Sequence, residues 1–281
     1  MTGTGRTLVL GGGGLTGIAW ELGVLCGLRA AGTDLATADL IIGTSAGAYV
    51  GALVATGADL AGAMAHLDEL ALELPPRLDP ELIAEGFATM TDRTLPPEEA
   101  RARIGALARR APTGDPAVHV ARFTSALPRH GWPDRPRLVV TAIATATGRL
   151  TVWDATAGVS LPEAVAASCS APAIFPPVEV SGTGYFMDGG LRSVANADLA
   201  AGAEAVVVIA PTDGAFRASP AEQLAALGVA RCVLIQPDDA AREALGADML
   251  DPGQGAAAMA AGMTQGRSVA AAVARSWTGR G

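Results

Sequence analysis

The chain has 281 residues, half of them hydrophobic, which is long enough for one large α/β domain or two small ones. It carries 28 acidic and 20 basic residues, and this net charge of −8 argues against general nucleic-acid binding. All 20 basic residues are arginine, so every mechanism that depends on a lysine is excluded.

The cysteines and the lengths of the apolar segments indicate in which cellular compartment the protein is expected. Cys26, Cys169 and Cys232 are odd in number, widely spaced and without a metal-ligand pattern. No apolar run reaches the roughly 18 residues of a membrane-spanning helix. The N-terminus lacks the layout of a signal peptide. We therefore expect a reduced, cytoplasmic protein with no metal or other cofactor, compatible with transient contact with a membrane surface.

The first predicted unit is a strand, a glycine-rich loop and a helix. The strand covers Arg6–Leu10, and the loop follows at 11–17. An apolar stripe at Ile18, Leu22 and Leu25 indicates the helix. The other face has small residues, which would let the helix lie close to a sheet: Ala19, Gly23, Gly27 and Ala30.

The glycine-rich loop has three interpretations. Gly12, Gly14 and Gly17 match the G-x-G-x-x-G pattern of dinucleotide-binding proteins. That fingerprint also needs an acidic residue at the end of the second strand, whereas Asp39 begins that strand and Ser45 follows its end. The nucleotide interpretation therefore fails its second requirement. The others are an oxyanion hole, made by loop N–H groups for a serine on the next strand, and a purely structural turn.

Residues 38–50 predict a short buried strand that runs straight into a helix. The junction, Gly43-Thr44-Ser45-Ala46-Gly47, matches the G-x-S-x-G pattern of a nucleophile elbow. Side chains at Gly43 and Gly47 would collide with neighbouring backbone. Ser45 would stand at the positive N-terminus of the helix, which suits a nucleophile that generates an oxyanion. The alternative is a serine that caps a buried helix after a glycine-rich turn.

Residues 59–136 are predicted to form a helical insertion or cap within a single domain that covers residues 1–281. Apolar residues at helical spacing predict a helix over 59–74, which Pro75-Pro76 would end. Acidic residues in the first turn and arginines in the last predict another helix over 93–110.

The remainder of the chain alternates strands with helices. The predicted bounds are strands over 137–146 and 149–153, a helix over 161–170, and strands over 184–187, 205–210 and 231–236. Thr147-Gly148 would turn the first two strands into a hairpin. The last two strands are unalternating apolar runs, which are typical of a parallel sheet covered on both faces. A final helix ends near Trp277.

A serine nucleophile needs a partner that takes its proton. Three histidines are available, and all precede residue 131: His66, His119 and His130. No histidine follows Asp188, so the Ser–acid–His order of an α/β-hydrolase cannot be met with it. Asp188 ends a strand, and Gly189 and Gly190 let backbone approach it, which favours Asp188 as the base. One alternative is that Asp188 is only a turn residue. The other is that His119 or His130 is the base, although such a histidine more often lies on a surface.

Together these segments resemble the patatin-like phospholipase family over roughly residues 5–210. The resemblance is carried by the glycine-rich strand–loop–helix, the elbow at 43–47, the SAPAIFPPV stretch at 170–178 and DGG at 188–190. It implies a three-layer α/β/α sandwich with a mostly parallel central sheet, and a Ser–Asp dyad without a catalytic histidine.

The resemblance also implies residue roles. By position, Ser45 is the nucleophile and Asp188 the base, while the amides of Gly12, Gly13 and Gly14 form the oxyanion hole. Thr16 stands where the family usually has arginine or lysine, which removes a positive charge near the site.

We therefore expect a serine acyl hydrolase that cleaves the carboxylic esters of lipids by acyl transfer to water, with no metal required. The competing class is a catalytically decayed binding or scaffold protein.

Overall fold

The computed structural model describes residues 5–67, 70, 80–180, 182–214 and 218–279. The strands in this part are β1 Arg6–Leu10, β2 Leu40–Gly43, β3 Arg137–Ala144, β4 Leu150–Trp153, β5 Val178–Val180, β6 Gly184–Asp188, β7 Ala205–Ile209 and β8 Arg231–Ile235. The α-helices are α1 Gly14–Ala30, α2 Ala46–Ala55, α3 Pro80–Thr91, α4 Pro97–Arg110, α5 Pro116–Ala126, α6 Leu161–Ser168, α7 Pro220–Ala226, α8 Asp239–Leu245 and α9 Gly255–Thr278.

The described strands form one sheet in the order β5-β6-β3-β2-β1-β7-β8, with β4 also paired to β3. The run β3-β2-β1-β7-β8 is parallel. The strands β4, β5 and β6 pair antiparallel at one side. Because Asp188 pairs with Ala142, two residues beyond the partner of Gly43, β6 ends near the carboxyl end of β2. The topology therefore brings the end of β6 to the elbow.

Helices cover both faces of the sheet. Side chains of β1 alternate between two cores: Leu8 and Leu10 enter the larger core with α1, α2 and α9, and Val9 enters the smaller one. The smaller core includes Leu224 of α7. These layers confirm the predicted α/β/α sandwich with a mostly parallel central sheet.

The predicted strands are present, with two differences. β5 was not predicted, because three residues between prolines and glycines carry too short an alternation to be recognised. The prediction that both apolar C-terminal strands are covered on both faces holds for β7, which is wholly buried, but is wrong for β8. Within the described sheet β8 pairs with β7 alone, and Cys232 on it is exposed.

The small-residue face of α1 meets a helix rather than the sheet. A Cβ on Gly23 would overlap the backbone of Met259, and one on Gly262 would overlap the carbonyl of Trp20. Glycines of α1 and α9 therefore let the two helices pack backbone against backbone. The expectation of close packing on the sheet was wrong, since small residues indicate a close approach without indicating the partner; Ala30 is exposed.

Residues between α2 and β3 are largely helical where described. The helix predicted over 93–110 begins at Pro97, because Pro96 has extended backbone and precedes the first turn. α3 and α5 were not predicted. Of the helix predicted over 59–74, residues 62–66 form a 3₁₀ turn, whereas 68–69 and 71–79, with Pro75-Pro76, lie outside the described residues. The division into one domain with an insertion stays a prediction.

Candidate active site

Ser45 and Asp188 are in direct contact. Ser45 Oγ donates a hydrogen bond to Asp188 Oδ2 at 2.7 Å, although the two residues are 143 positions apart in the chain. Ser45 stands between β2 and α2 with φ 54° and ψ −121°, a conformation that few residues other than glycine adopt. Such backbone strain persists only where the surrounding structure imposes it, and it concentrates at functional sites.

The elbow is tight because β1 lies directly against it. A Cβ on Gly47 would overlap the carbonyl of Leu10, and one on Gly43 would lie 2.6 Å from Ala48 Cα. The N–H of Gly47 donates to Gly11 O at 2.9 Å, which ties the elbow to the glycine-rich loop. Glycine at both positions thus permits the turn that lifts Ser45 out of the sheet.

Asp188 is buried at the end of β6, with 8% of its surface exposed. Its Oδ1 accepts the N–H of Gly190 at 2.7 Å, and Gly189 leaves room for Thr141. Burial raises the pKa of the Asp188 carboxyl to about 6, although the hydrogen bonds from Ser45 and Gly190 act in the opposite direction. The carboxyl is therefore a stronger base than an aspartate in water.

The glycine-rich loop passes beside Ser45, but its amides point in different directions. The N–H of Gly12 donates to Val194 O at 2.8 Å, so the expectation that Gly12 contributes to an oxyanion hole needs correction. Gly12 instead gives space, since a Cβ there would lie 3.3 Å from Ser45 Cβ. The N–H groups of Gly13 and Gly14 have no hydrogen-bond acceptor within the described residues.

Glu21 supports the glycine-rich loop from inside the protein. Its Oε1 accepts the N–H of Gly11 at 3.0 Å, and the side chain is fully buried. Burial raises the pKa of the Glu21 carboxyl well above its usual value, although the hydrogen bond from Gly11 acts in the opposite direction. Thr16 is also fully buried, so its side chain faces the interior of the protein. Glu21 was not recognised from the sequence. Its signal there is an acidic side chain within a predominantly apolar helix.

A polar network lies behind the elbow. Thr44 Oγ1 is 2.8 Å from Thr141 Oγ1, and Asn196 Nδ2 donates to Thr44 Oγ1 at 3.1 Å. All three side chains are buried, and their hydrogen bonds connect the end of β2 and the middle of β3 with the segment after Asp188. The sequence offers no periodic signal for these residues, because the pairing depends on the sheet order.

A largely apolar pocket of about 580 Å³ opens onto Ser45. Its walls come from the glycine-rich loop, α3, α4, α5 and the loops after α6 and α8. Apolar residues at these walls include Leu82, Phe87, Met90, Ile104, Phe123 and Phe175. Besides Asp188, the charged side chains that the described residues place at the wall are those of Arg122 and Asp248.

The histidines do not contact the serine in the part of the chain described. His119 lines the pocket but is buried, stacks on Phe175 with ring centres 5.1 Å apart, and has Nε2 3.1 Å from Ala166 O. Burial lowers the pKa of His119 to about 4. The surface position expected for a histidine is therefore wrong for His119. His130 is exposed, with Nε2 2.8 Å from Thr124 O, and the side chain of His66 lies outside the described residues.

The described residues hold no group of three or more histidine, cysteine or acidic side chains arranged for a metal. Among those same residues, every helix is too short or too polar to cross a bilayer.

The fold and the site together define an α/β protein with a serine–aspartate pair at a nucleophile elbow. The patatin-like phospholipase model matches residues 8–201, and the chain belongs to that family. Membership supports lipid acyl hydrolase activity.

Solved structures similar to this chain include VipD and ExoU. VipD from Legionella pneumophila has 15% sequence identity and a TM-score of 0.48, over 96% of this chain and 67% of VipD. The type III effector protein ExoU has 17% identity and a TM-score of 0.42, over 96% of this chain and 53% of ExoU. The chain thus spans about half the length of ExoU. A search of curated proteins found no significant match.

Proposed function

We propose that the protein is a serine acyl hydrolase that cleaves carboxylic esters of lipids, with Ser45 as nucleophile and Asp188 as general base. The observation that carries this proposal is the 2.7 Å hydrogen bond from Ser45 Oγ to Asp188 Oδ2 at a strained elbow. A nucleophile and a base within hydrogen-bond reach are the signature of an activated serine.

In the first half-reaction Ser45 Oγ attacks the ester carbonyl carbon while its proton passes to Asp188. The ester C–O bond then breaks, the proton goes to the departing alkoxide, and an acyl-serine remains. Water attacks the acyl-serine with Asp188 again accepting the proton, which releases the fatty acid and restores Ser45.

The oxyanion formed in each half-reaction needs hydrogen-bond donors. The N–H groups of Gly13 and Gly14 support this role because both residues line the pocket beside Ser45 and have no acceptor within the described chain. The N–H of Gly12 is engaged with Val194 and is left out of the proposed hole.

The burial of Asp188 supports its role as a base at neutral pH. A carboxylate with a pKa near 4 is a poor acceptor for a serine proton, whereas the pKa of about 6 at Asp188 narrows the mismatch and leaves the group ionised at pH 7. Amides are less electrophilic than esters, and their amine leaving group must be protonated before it departs, so we expect esters to be cleaved and peptide amides to resist.

The apolar pocket supports a substrate with a hydrocarbon chain. The walls named above are aliphatic and aromatic, and the ester carbonyl would lie at the polar end, next to Ser45 and Asp188. Acyl-ester lipids are accordingly the proposed partners.

The experiment that tests this function uses a fluorophosphonate probe and a panel of lipid esters. Wild-type protein should be labelled and should release fatty acid. Ser45→Ala should do neither while remaining folded by circular dichroism, because it removes only the hydroxyl that donates to Asp188. A wild-type protein that resists the probe would favour a decayed binding or scaffold role. Hydrolysis by Ser45→Ala within tenfold of wild type would eliminate Ser45 as the nucleophile.

A further inference from the structure

Large apolar side chains that are exposed cluster at the mouth of the pocket. Among the described residues, three of the five such side chains line it: Ile83 is 40% exposed, Phe87 58% and Met249 41%. Single exposed apolar residues are ordinary, but a group of them around one opening marks a binding surface for a protein or a membrane.

Two of the three lie on α3, which presents them one turn apart. Ile83 and Phe87 are four positions apart and therefore share a helix face. The same helix buries Met90 and packs mainly against α4. Its ion pair from Glu85 to Arg110, 2.6 Å long, joins two side chains that are each more than half exposed, and such pairs stabilise little.

The charged side chains near the mouth of the pocket indicate which kind of lipid surface it can bind. Among the described residues, Glu81 and Glu85 lie on α3, and Glu85 is paired with Arg110. Asp248 and Arg122 lie at the pocket wall, so these acidic side chains outnumber the arginines by one. The chain has no lysine and a net charge of −8. Binding to anionic lipid is strengthened by an excess of basic residues near the membrane, and the described residues at this opening carry no such excess. A lipid surface without net charge imposes no electrostatic cost.

We propose that Ile83, Phe87 and Met249 form a docking surface that inserts into a lipid surface of zero net charge. The proposal rests on the lipid hydrolase function, because the docked pocket would receive an acyl chain from the lipid layer without exposing it to water. Continuity between the three side chains and the pocket that reaches Ser45 is what points to lipid as the occupant.

Vesicle co-sedimentation tests this surface without catalysis when every protein also carries Ser45→Ala. The protein should bind phosphatidylcholine vesicles, and equal parts of phosphatidylcholine and phosphatidylserine should bind it no more tightly. Ile83→Ser combined with Phe87→Ser should weaken partitioning at least about tenfold, because two apolar side chains no longer enter the hydrocarbon.

The matched control is Val152→Ser. Val152 is 43% exposed on β4 and does not line the pocket, so the change should leave partitioning as it was. Absence of binding to phosphatidylcholine, equal loss in the control, or binding that requires phosphatidylserine would each overturn the proposal. A sedimentation-velocity dimer that Ile83→Ser and Phe87→Ser convert to monomer would assign the surface to a second copy of the chain instead. Because binding is measured on inactive protein, vesicle binding by a chain that hydrolyses no ester would refute the function and leave the docking surface standing.

Discussion

The backbone N–H of Ser45 donates a hydrogen bond to Ser168 Oγ at 2.8 Å. The next residue along, Cys169, donates from Sγ to the carbonyl of Ser45 at 3.2 Å. The last turn of α6 thus holds the backbone of Ser45 on both sides. This contact accounts for how a non-glycine residue keeps a positive φ.

Ser168→Ala should lower kcat about tenfold or more and leave KM nearly unchanged. The partly buried N–H of Ser45 would lose its acceptor, which costs roughly 1 kcal/mol or more and lets the nucleophile leave its attacking position. Steady-state kinetics on a soluble ester measures both constants. Ser160→Ala is the control, because it removes the capping box of the same helix far from Ser45. It should lower the melting temperature but leave kcat near wild type; an equal fall in kcat in both variants would mean that Ser168 only stabilises α6.

Gly14→Ala should reduce turnover by about 10²–10³-fold, the usual cost of a lost oxyanion donor. Gly14 has φ +63°, and a Cβ would lie 2.5 Å from Met249 O, so the loop and its N–H groups must shift. Gly57→Ala imposes a comparable backbone strain at φ +71° with no atom within 4 Å, and should retain activity. Circular dichroism would establish that both variants are folded. A folded Gly14→Ala with normal turnover would remove the loop from the proposed oxyanion hole.

The elements that follow local patterns could be predicted from the sequence. β1, β2 and β7 are buried apolar runs, and the β3–β4 hairpin has a Thr-Gly turn, so their positions follow from hydrophobic pattern and turn chemistry. The elbow at Ser45 was recognisable because the glycine spacing is local.

Contacts between distant segments could not be predicted. Nothing near Ser168 or Gly12 in the chain indicates that one accepts the amide of Ser45 or that the other donates to Val194. α3 was not predicted, although Ile83, Phe87 and Met90 lie at helical spacing and could have indicated it. The helix that packs against the small-residue face of α1 could not be predicted either, because α9 lies at the far end of the chain.

Gly262→Ala should destabilise the fold by about 3 kcal/mol. The new Cβ would overlap the carbonyl of Trp20, and neither helix backbone can yield without loss of packing between α1 and α9. Gly255→Ala lies in the same helix, where the nearest atom to a Cβ is a methionine methyl at 3.5 Å. It should be neutral or stabilise by up to about 1 kcal/mol through helix propensity. Urea unfolding measures both; equal stabilities of the two variants would contradict the backbone contact between α1 and α9.

The pH dependence of kcat/KM tests the base. Asp188 must be ionised to accept a proton, and its pKa is raised to about 6, so activity should be lost as pH falls through 6 rather than through 4. Below pH 6 the rate should fall about tenfold per unit, and above it the rate should level off. Asp188→Asn keeps the shape and the hydrogen bond from Gly190 but removes the charge, so it should be folded and inactive at every pH. A soluble ester that is stable from pH 4 to pH 8 provides the profile.

A midpoint near 6 does not by itself distinguish aspartate from histidine, since an ordinary histidine titrates near 6.5. His119 is set apart by its pKa of about 4, which places its titration below the expected midpoint. His130 is exposed, so His130→Gln is a mild change that should leave the midpoint and the plateau where they are. If His130→Gln abolished the rise in rate while Asp188→Asn remained active, the proton acceptor would be the histidine, and the pairing of Ser45 with Asp188 would be structural only.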